Sequence, residues 1–473
     1  MDPLRLPPGI ASEAIAICAR IRDNGGRAYL VGGCIRDMFM HVIPKDLDME
    51  VFDIAPEALR DLFPSNLFPT GKSFGVYKYS NLPIDIGIPR QESAVGFGHR
   101  DFEIFSDPNL SLPLAASRRD FTINAIYWDP LENCIEDPFG GMVDMREKVL
   151  RHVSPKFIED QLRVLRGMQF VARFDLHAAE QTINLCRQLT LKNLSAERIY
   201  AEFCKLLLYG HSIGKGIQFL HQTKCISFFP ELAALGPCRQ DPIRHPEGCV
   251  LRHVACALDA YATLRPELEW DALVTGFGVL CHDFGKPACT RWNRAGRLSA
   301  KGHARAGLVP TDKFLTRMRA PKQLIKEVLP LVEFHMLPRQ FSRPEGATQR
   351  ALNWLAYNVQ RIDRLLVVAR CDNMGRPPRT PNLTGENTLE NLAFEANLLK
   401  SPPIPLIRGR DLQINFGMDP SPKMGPLLKR LFEAQLDGKF YDLTTGVAHA
   451  KKILKKIGGQ NFRKFRRCRK RLP

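Results

Sequence analysis

Asp46 and Asp48, in the run Lys45-Asp46-Leu47-Asp48-Met49-Glu50-Val51-Phe52, are by type and spacing the residues of this chain best suited to chemistry. Alternation along a strand puts Asp46, Asp48 and Glu50 on one face and Leu47, Met49 and Val51 on the other. The apolar face packs and the carboxylates face a cleft. Carboxylates so spaced make a hard-oxygen site for Mg²⁺, which keeps waters and takes its remaining ligands from substrate phosphates. The segment Ile84-Asp85-Ile86-Gly87-Ile88 repeats the alternation, and a neighbouring strand of this kind could supply Asp85 as a third carboxylate. A solvated strand edge has the same pattern, so spacing alone leaves both readings open.

Other groups suit the handling of a nucleotide. Gly32-Gly33 follow a strand-like run and precede a helix, where a double glycine lets backbone N–H groups approach a phosphate, although most such pairs are ordinary turns. Ser117-Arg118-Arg119-Asp120-Phe121-Thr122-Ile123-Asn124 gathers two guanidinium groups with Asp and Asn, a mixture suited to triphosphate and ribose; a capped surface helix would use the same residues. In Phe157–Arg166, read as the opening of a helix, Asp160 and Arg163 share a face. An Asp accepts from the amino group of cytosine or adenine while an Arg donates to the acceptor beside it, so such a pair could choose C and A without a template strand. An exposed ion pair worth about 0.3–0.5 kcal/mol is the plainer alternative.

A third set is imidazole-rich. His245, His253, His282, His303 and His335 fall within 91 residues, and His282-Asp283 closes an apolar segment. Imidazoles and carboxylates on separate helices can converge on a divalent cation, whereas a single buried histidine is more often a hydrogen-bonded core residue.

The elements that must position these groups change character along the chain. A helical period over Pro8–Asp23 stops at Gly25-Gly26, and between about Ala28 and Arg151 strand-like and helix-like segments mix, which predicts an α/β or α+β domain. From Phe157 onward the pattern is helical, with proline-marked linkers at Met374–Glu386 and Pro402–Pro405. At 473 residues, 44% hydrophobic and 25% charged, the chain is long enough for several domains and too apolar for wholesale disorder. The net charge of +17 points to a polyanionic partner, and 11 of the basic residues lie in Lys451–Pro473, which has no acidic residue. Thirteen cysteines without a C-x-x-C pair fit a reducing compartment, and neither a secretory signal nor 18 consecutive apolar residues occur. The expectation is a soluble, cytoplasmic protein with no membrane partner.

In this order the segments resemble class II tRNA nucleotidyltransferases, the CCA-adding enzymes, and the related bacterial poly(A) polymerases. The matching residues are Gly32-Gly33 with Arg36-Asp37, Asp46-x-Asp48, Arg118-Arg119-Asp120-Phe121-Thr122-x-Asn124-Ala125, Asp137-Pro138-x-Gly140-Gly141, Glu159-Asp160-x-x-Arg163 and Glu197–Glu202. The resemblance implies that Asp46 and Asp48 bind catalytic Mg²⁺, with Asp85 joining them. It implies that Gly32, Gly33 and Arg36 hold the triphosphate, that Arg119, Asp120 and Asn124 contact sugar and phosphates, and that Asp160 and Arg163 select the base, with Arg166 counted beside them. The implied reaction is attack of the tRNA 3′-hydroxyl on the α-phosphate of CTP or ATP. One departure is Gln169, where many relatives have Arg.

The histidines resemble the HD phosphohydrolase superfamily, with His253, His282, Asp283 and Asp372 as the four-ligand signature and His303 and His335 as accessory ligands. Some bacterial CCA-adding enzymes carry such a domain, which implies metal-dependent phosphatase and 2′,3′-cyclic phosphodiesterase activity on Mg²⁺ or a divalent transition metal. The implied architecture is multidomain. An α+β, polymerase β-like head spans 1–152, a helical neck 153–236, an HD domain 237–375, and a helical tRNA-binding region with the basic tail 376–473, in a monomer or homodimer. The loop Gln91–His99 is expected to be the element that switches from C to A addition. Rival expectations are a specialised A-adding or CC-adding enzyme, a poly(A) polymerase, or an HD hydrolase whose head only binds RNA.

Overall fold

The structure is a computed structural model, and it describes residues 6, 9–69, 76–94, 102–422 and 424–457. The chain divides into two compact units, residues 1–236 with 314–320, and residues 237–313 with 321–473.

In the first unit, short runs of alternating apolar residues make β1 (Arg27–Val31), β2 (Leu47–Phe52), β3 (Leu67–Pro69), β4 (Val76–Tyr79), β5 (Ile84–Gly87), β6 (Arg90–Ala94), β7 (Phe102–Ser106), β8 (Tyr127–Asp129) and β9 (Cys134–Glu136). Seven of them form one sheet in the order β3-β4-β5-β2-β1-β8-β9, and β6 pairs with β7 separately. Within the sheet β2 and β5 run parallel and the other neighbours antiparallel. Leu47, Met49 and Val51 pack on one face with Leu30, Ile84, Ile86 and the helix residues Ile17 and Ile21, as the alternation predicts. Each such buried aliphatic side chain contributes about 1.5–3 kcal/mol. Tyr29, Val31, Phe52, Ala115 and Tyr127 pack on the other face, so both sides of the sheet are covered. The rest of this unit is mainly helical, and an α+β head followed by helices agrees with the expected fold class.

Two local expectations are corrected. The first helix begins at Ala11 rather than Pro8. The helix expected from Phe157 begins at Leu162: Pro155–Glu159 form a 3-10 turn, and Asp160 is extended at φ −117°, ψ 106°. Its carboxylate accepts the Leu162 N–H at 3.0 Å, so Asp160 starts the helix from outside instead of sharing a face with Arg163.

The second unit is helical. Helix Glu269–Cys281 is buried from Asp271 to Cys281, as suits an element packed on all sides. Asp271 is tolerated there because Arg364 and Arg361 pair with it at 2.5 and 2.7 Å. Helices Gly409–Phe416, Met424–Leu436 and Leu443–Ile457 share a small core of Ile407, Leu412, Leu427, Leu431, Phe440 and Ala450. Among the described residues no helix is long and apolar enough to cross a membrane. Of the basic run Lys451–Pro473 only 451–457 are described, and residues 95–99 of the expected switching loop lie outside the described residues.

Candidate active site and candidate metal centre

The parallel pairing of β2 with β5 sets Asp48 directly beside Asp85, and Asp46 immediately precedes β2. The three carboxylates expected to work together are therefore neighbours. The pKa of Asp48 is raised by desolvation and by Asp46, Asp85 and Glu50, against the opposing charge of Arg119. A cation would relieve this repulsion, and all-oxygen donors fit Mg²⁺.

Gly32 ends β1 next to this set, at φ 77°. A Cβ there would lie 2.9 Å from Arg119 Nη1 and 3.5 Å from Asp48 Oδ2, so a glycine leaves room for the guanidinium and the carboxylate on either side of it.

Glu50 departs from the expected arrangement. It is buried, and its carboxylate accepts from Arg118 Nη2 at 2.7 Å, Arg119 Nη2 at 3.1 Å and Tyr127 Oη at 2.8 Å. Glu50 is an arginine anchor rather than a third cleft carboxylate, because two guanidinium groups from a distant segment neutralise it. Burial alone would raise its pKa, but Arg119 and Arg118 outweigh burial and hold it at about 2.

A second buried network links the remaining expected residues. Arg36 donates to Asp37 at 2.6 Å and to Asn124 Oδ1 at 2.6 Å, and it stacks on Phe170 and Phe174. Asn124 Nδ2 donates to Asp120 at 2.9 Å, and Arg166 Nε donates to the other Asp120 oxygen at 2.7 Å. Burial favours a neutral Asp120, but Arg166 and Asn124 overcome it and hold the carboxyl at about 2. The guanidinium of Arg36 thus points into the protein and fixes Asn124.

Asp160 accepts from Arg198 Nη2 at 3.1 Å, and Arg163 donates to the carbonyls of Arg118 and Lys156 at 2.5 and 2.9 Å. Arg163 therefore ties the arginine pair to the helix that carries it. Sequence reasoning missed the anchoring by Glu50 and Arg198. Glu50 sat in plain view, but its partners are 68 and 69 residues away.

The second unit brings His253, His282, Asp283, His303, His335 and Asp372 together. His282, His303 and His335 use one local device: each sits three residues after a carbonyl (Val279, Ala300 and Val332) that its Nδ1 contacts at 2.7, 2.8 and 2.8 Å. His282 and His335 thereby satisfy carbonyls that the ends of their helices leave unpaired. His253 Nδ1 faces Gly375 O at 3.0 Å and Glu247 Oε1 at 2.9 Å. Carbonyls and carboxylates only accept, so each Nδ1 carries a proton and each ring turns its Nε2 towards the cluster.

Those Nε2 atoms converge in pairs. His253 and His282 are 3.3 Å apart, and His303 and His335 are 3.2 Å apart. Two nitrogens bound to one tetrahedral ion at about 2.1 Å would stand at about this separation. Asp372 Oδ1 lies 3.0 Å from His253 Nε2. Asp283 turns Oδ2 to His282 at 3.2 Å, where Lys286 Nζ also pairs with it at 2.6 Å, and Oδ1 to His303 at 3.4 Å. Buried carboxylate oxygens beside converging imidazole nitrogens fit divalent cations.

The titration behaviour agrees. Burial and the neighbouring His282 push His335 down to about 3, and burial lowers His303, so both rings are neutral ligands at ordinary pH. Burial also favours a neutral His253, but hydrogen bonding to Asp372 and Glu247 outweighs it and raises the pKa. Glu247 was not among the expected site residues, although His245-x-Glu247 ahead of His253 was a legible signal.

Comparison with known proteins places the first unit in named families and gives relatives of the chain as a whole. Residues 28–151 match the poly A polymerase head domain, and residues 176–235 match the probable RNA and SrmB-binding site of polymerase A. The multifunctional CCA protein of Pasteurella multocida is 32% identical over 363 residues, 74% of this chain and 84% of its own length. That of Stenotrophomonas maltophilia is 31% identical over 89% of this chain and 94% of its own. Among solved structures, the Bacillus stearothermophilus CCA-adding enzyme in complex with CTP is similar with a TM-score of 0.65 at 21% identity, over 96% of this chain and 99% of that one. The Thermotoga maritima CCA-adding enzyme complexed with tRNA gives 0.59 at 18%, over 95% and 97%.

Proposed function

The chain belongs to the multifunctional CCA protein family, and from that premise we propose how its two sites divide the work on a tRNA 3′ end. The first unit is a CCA tRNA nucleotidyltransferase: it adds C, C and A without a template, using CTP and ATP. The tRNA 3′-hydroxyl attacks the α-phosphate and pyrophosphate leaves. The observation that carries this reading is Asp48 paired in register with Asp85 and set 3.5 Å from where a Gly32 Cβ would be, across from Arg119. Asp46, Asp48 and Asp85 would hold Mg²⁺, which would supply charge neutralisation and make the attacking hydroxyl more acidic. Arg119, fixed by Glu50, and the backbone of Gly32-Gly33 hold the triphosphate. Arg36, Asn124, Asp120 and Arg166 keep the neighbouring wall rigid, and Asp160 with Arg163 selects the base. Its tRNA and nucleotide substrates fit a cytoplasmic enzyme.

The test supplies tRNA ending before CCA with CTP, ATP or both, and sequences the 3′ ends. Ordered CCA that is lost in Asp46→Ala and Asp48→Ala sustains the reading. A-only, CC-only or long A products would replace it by a specialised enzyme or a polymerase.

The second unit is read as a metal-dependent phosphohydrolase on the strength of the four converging Nε2 atoms. His253, His282, Asp283 and Asp372 would hold one divalent ion, and His303 and His335 would hold a second with Asp283 shared. The nitrogen-rich donors favour a transition metal over Mg²⁺. Such an ion supplies an activated water at neutral pH. Hydrolysis of RNA ending in a 2′,3′-cyclic phosphate or a terminal phosphate, absent in His282→Ala, tests it. Intact CCA addition without any such hydrolysis would reject it.

A further inference from the structure

We propose that Arg339 and Arg376 form a seat for the dianion of a phosphate monoester at the edge of the histidine cluster, a reading that rests on the hydrolytic function just given. The two guanidinium groups come from different elements, Arg339 from the turn Pro338–Ser342 and Arg376 from just after helix Ile362–Met374. Both close on one carboxylate: Arg339 Nη2 is 2.6 Å from Asp372 Oδ2 and Arg376 Nη2 is 2.6 Å from Oδ1. His253 Nε2 stands 3.0 Å from the same Oδ1. A cation held by Asp372 would therefore compete with the two arginines for the same carboxylate and weaken their hold on it.

The charges show what would take the arginines' free capacity. Asp283, Asp372 and Glu247 contribute three negative charges in the cluster, and Arg339, Arg376 and Lys286, whose Nζ is 2.6 Å from Asp283 Oδ2, contribute three positive ones. The fixed charges of these side chains therefore balance in number, so the positive charge of the divalent ions proposed above is left for an anionic ligand, and a doubly charged monoester meets more of it than a singly charged diester.

Geometry leads to the same ligand class. Arg376 Nε is buried without a hydrogen-bond partner, so this guanidinium has a donor left for a ligand. Arg339 keeps 28% of its side chain exposed against 2% for Asp372, so the arginine pair lies between the buried cluster and solvent, where a terminal phosphate would enter. Two guanidinium forks and a cation need several acceptor oxygens. A monoester offers three terminal oxygens and a diester two.

The test uses the full-length chain loaded with Co²⁺ and titrated with inorganic phosphate, comparing Arg339→Gln, Arg376→Gln and Arg339→Lys. Both Gln variants should weaken phosphate binding about tenfold or more and raise KM for p-nitrophenyl phosphate by a similar factor with kcat within about threefold, the signature of lost uniform binding. Arg339→Lys should recover only part of the affinity, since it restores charge without the fork. Hydrolysis of bis(p-nitrophenyl) phosphate, cobalt content and CCA addition should each stay near wild type. Unchanged phosphate affinity in both Gln variants, an equal loss with the diester, or loss of cobalt from the variants would overturn the seat. Failure of the wild-type protein to bind cobalt would instead overturn the hydrolytic reading beneath it.

Discussion

Glu50 Oε1 accepts Arg118 Nη2 at 2.7 Å while Glu50 Oε2 accepts Arg119 Nη2 at 3.1 Å, so one buried carboxylate on the strand of Asp48 holds both arginines of the Arg118-Arg119-Asp120 segment. Glu50→Gln keeps the shape and removes the charge. It should raise KM for CTP and ATP about tenfold while retaining most of kcat, because it loosens Arg119 without touching Asp46 or Asp48. Initial rates over a range of nucleotide concentration would settle this, and an unchanged KM would show that Arg119 needs no anchor.

The same residue gives a stability prediction with a definite sign. Its folded pKa, about 2, lies below the ordinary 4.5. The stabilisation is therefore fully present above about pH 4.5 and is lost as the pH falls towards 2. Two and a half pKa units correspond to a contribution on the order of 3 kcal/mol. Thermal melts of wild type and Glu50→Gln should differ most near neutral pH and converge between about pH 4.5 and pH 2. A gap that stays constant across that range would assign the loss to packing.

How much of this could be read from the residues depends on how far away each partner lies. Leu47, Met49 and Val51 announce the buried face of β2 because periodicity is a local property. Asp48 and Glu50 share the other face, and alternation has no means of telling the one near Asp85 from the one claimed by arginines 68 and 69 residues on. Asp160 shows the opposite limit. Its spacing to Arg163 suggested a common helix face, but an Asp that caps the Leu162 N–H stops being helical itself. The histidines were legible by type, whereas the Nδ1 contacts that aim their Nε2 atoms are set by helix ends and by Gly375, 122 residues from His253.

Divalent cations should stabilise the second unit through His253, His282, Asp283, His303, His335 and Asp372. At a free concentration about a hundred times Kd the gain is about 2.7 kcal/mol. Thermal melts with Co²⁺ or Mn²⁺ should shift upward, a chelator should reverse the shift, and Asp283→Asn should abolish most of it, because Asp283 faces both histidine pairs. A shift preserved in Asp283→Asn would mean that the ion sits elsewhere.

Base choice should depend on Asp160, held at 3.1 Å by Arg198. A site built to hydrogen-bond one pattern of donors and acceptors rejects the opposite pattern by leaving buried polar groups unpaired. Asp160→Ala removes that penalty, so incorporation of UTP or GTP relative to CTP should rise about tenfold or more while total extension falls. Arg198→Met should shift the same ratio in the same direction by less, since it frees Asp160 without deleting it. Sequencing of extended tRNA ends from mixed nucleotide pools reads both. Retained C and A fidelity in Asp160→Ala would move base selection to other residues.

Gly32→Ala tests whether the close approach of Arg119 to Gly32, beside Asp48, is needed for the chemistry. The φ of 77° strains an alanine by about 1–2 kcal/mol, and its Cβ would meet Arg119 Nη1 at 2.9 Å. The far end of an arginine can move, so the fold should survive with a Tm lowered by a few degrees. What cannot move freely is the guanidinium held by Glu50. Displacing it separates the triphosphate-binding charge from the carboxylate set by a fraction of an ångström, and misplacement on the scale of 1 Å costs on the order of 10²-fold in rate. The expected outcome is a protein that still folds and binds tRNA, with kcat/KM for CTP lower by about that factor and with both kcat and KM affected. If Gly32→Ala added CCA at the wild-type rate, the close approach seen here would not be the catalytic arrangement. If it lost tRNA binding as well, the glycine would be serving the fold of the head and not the nucleotide.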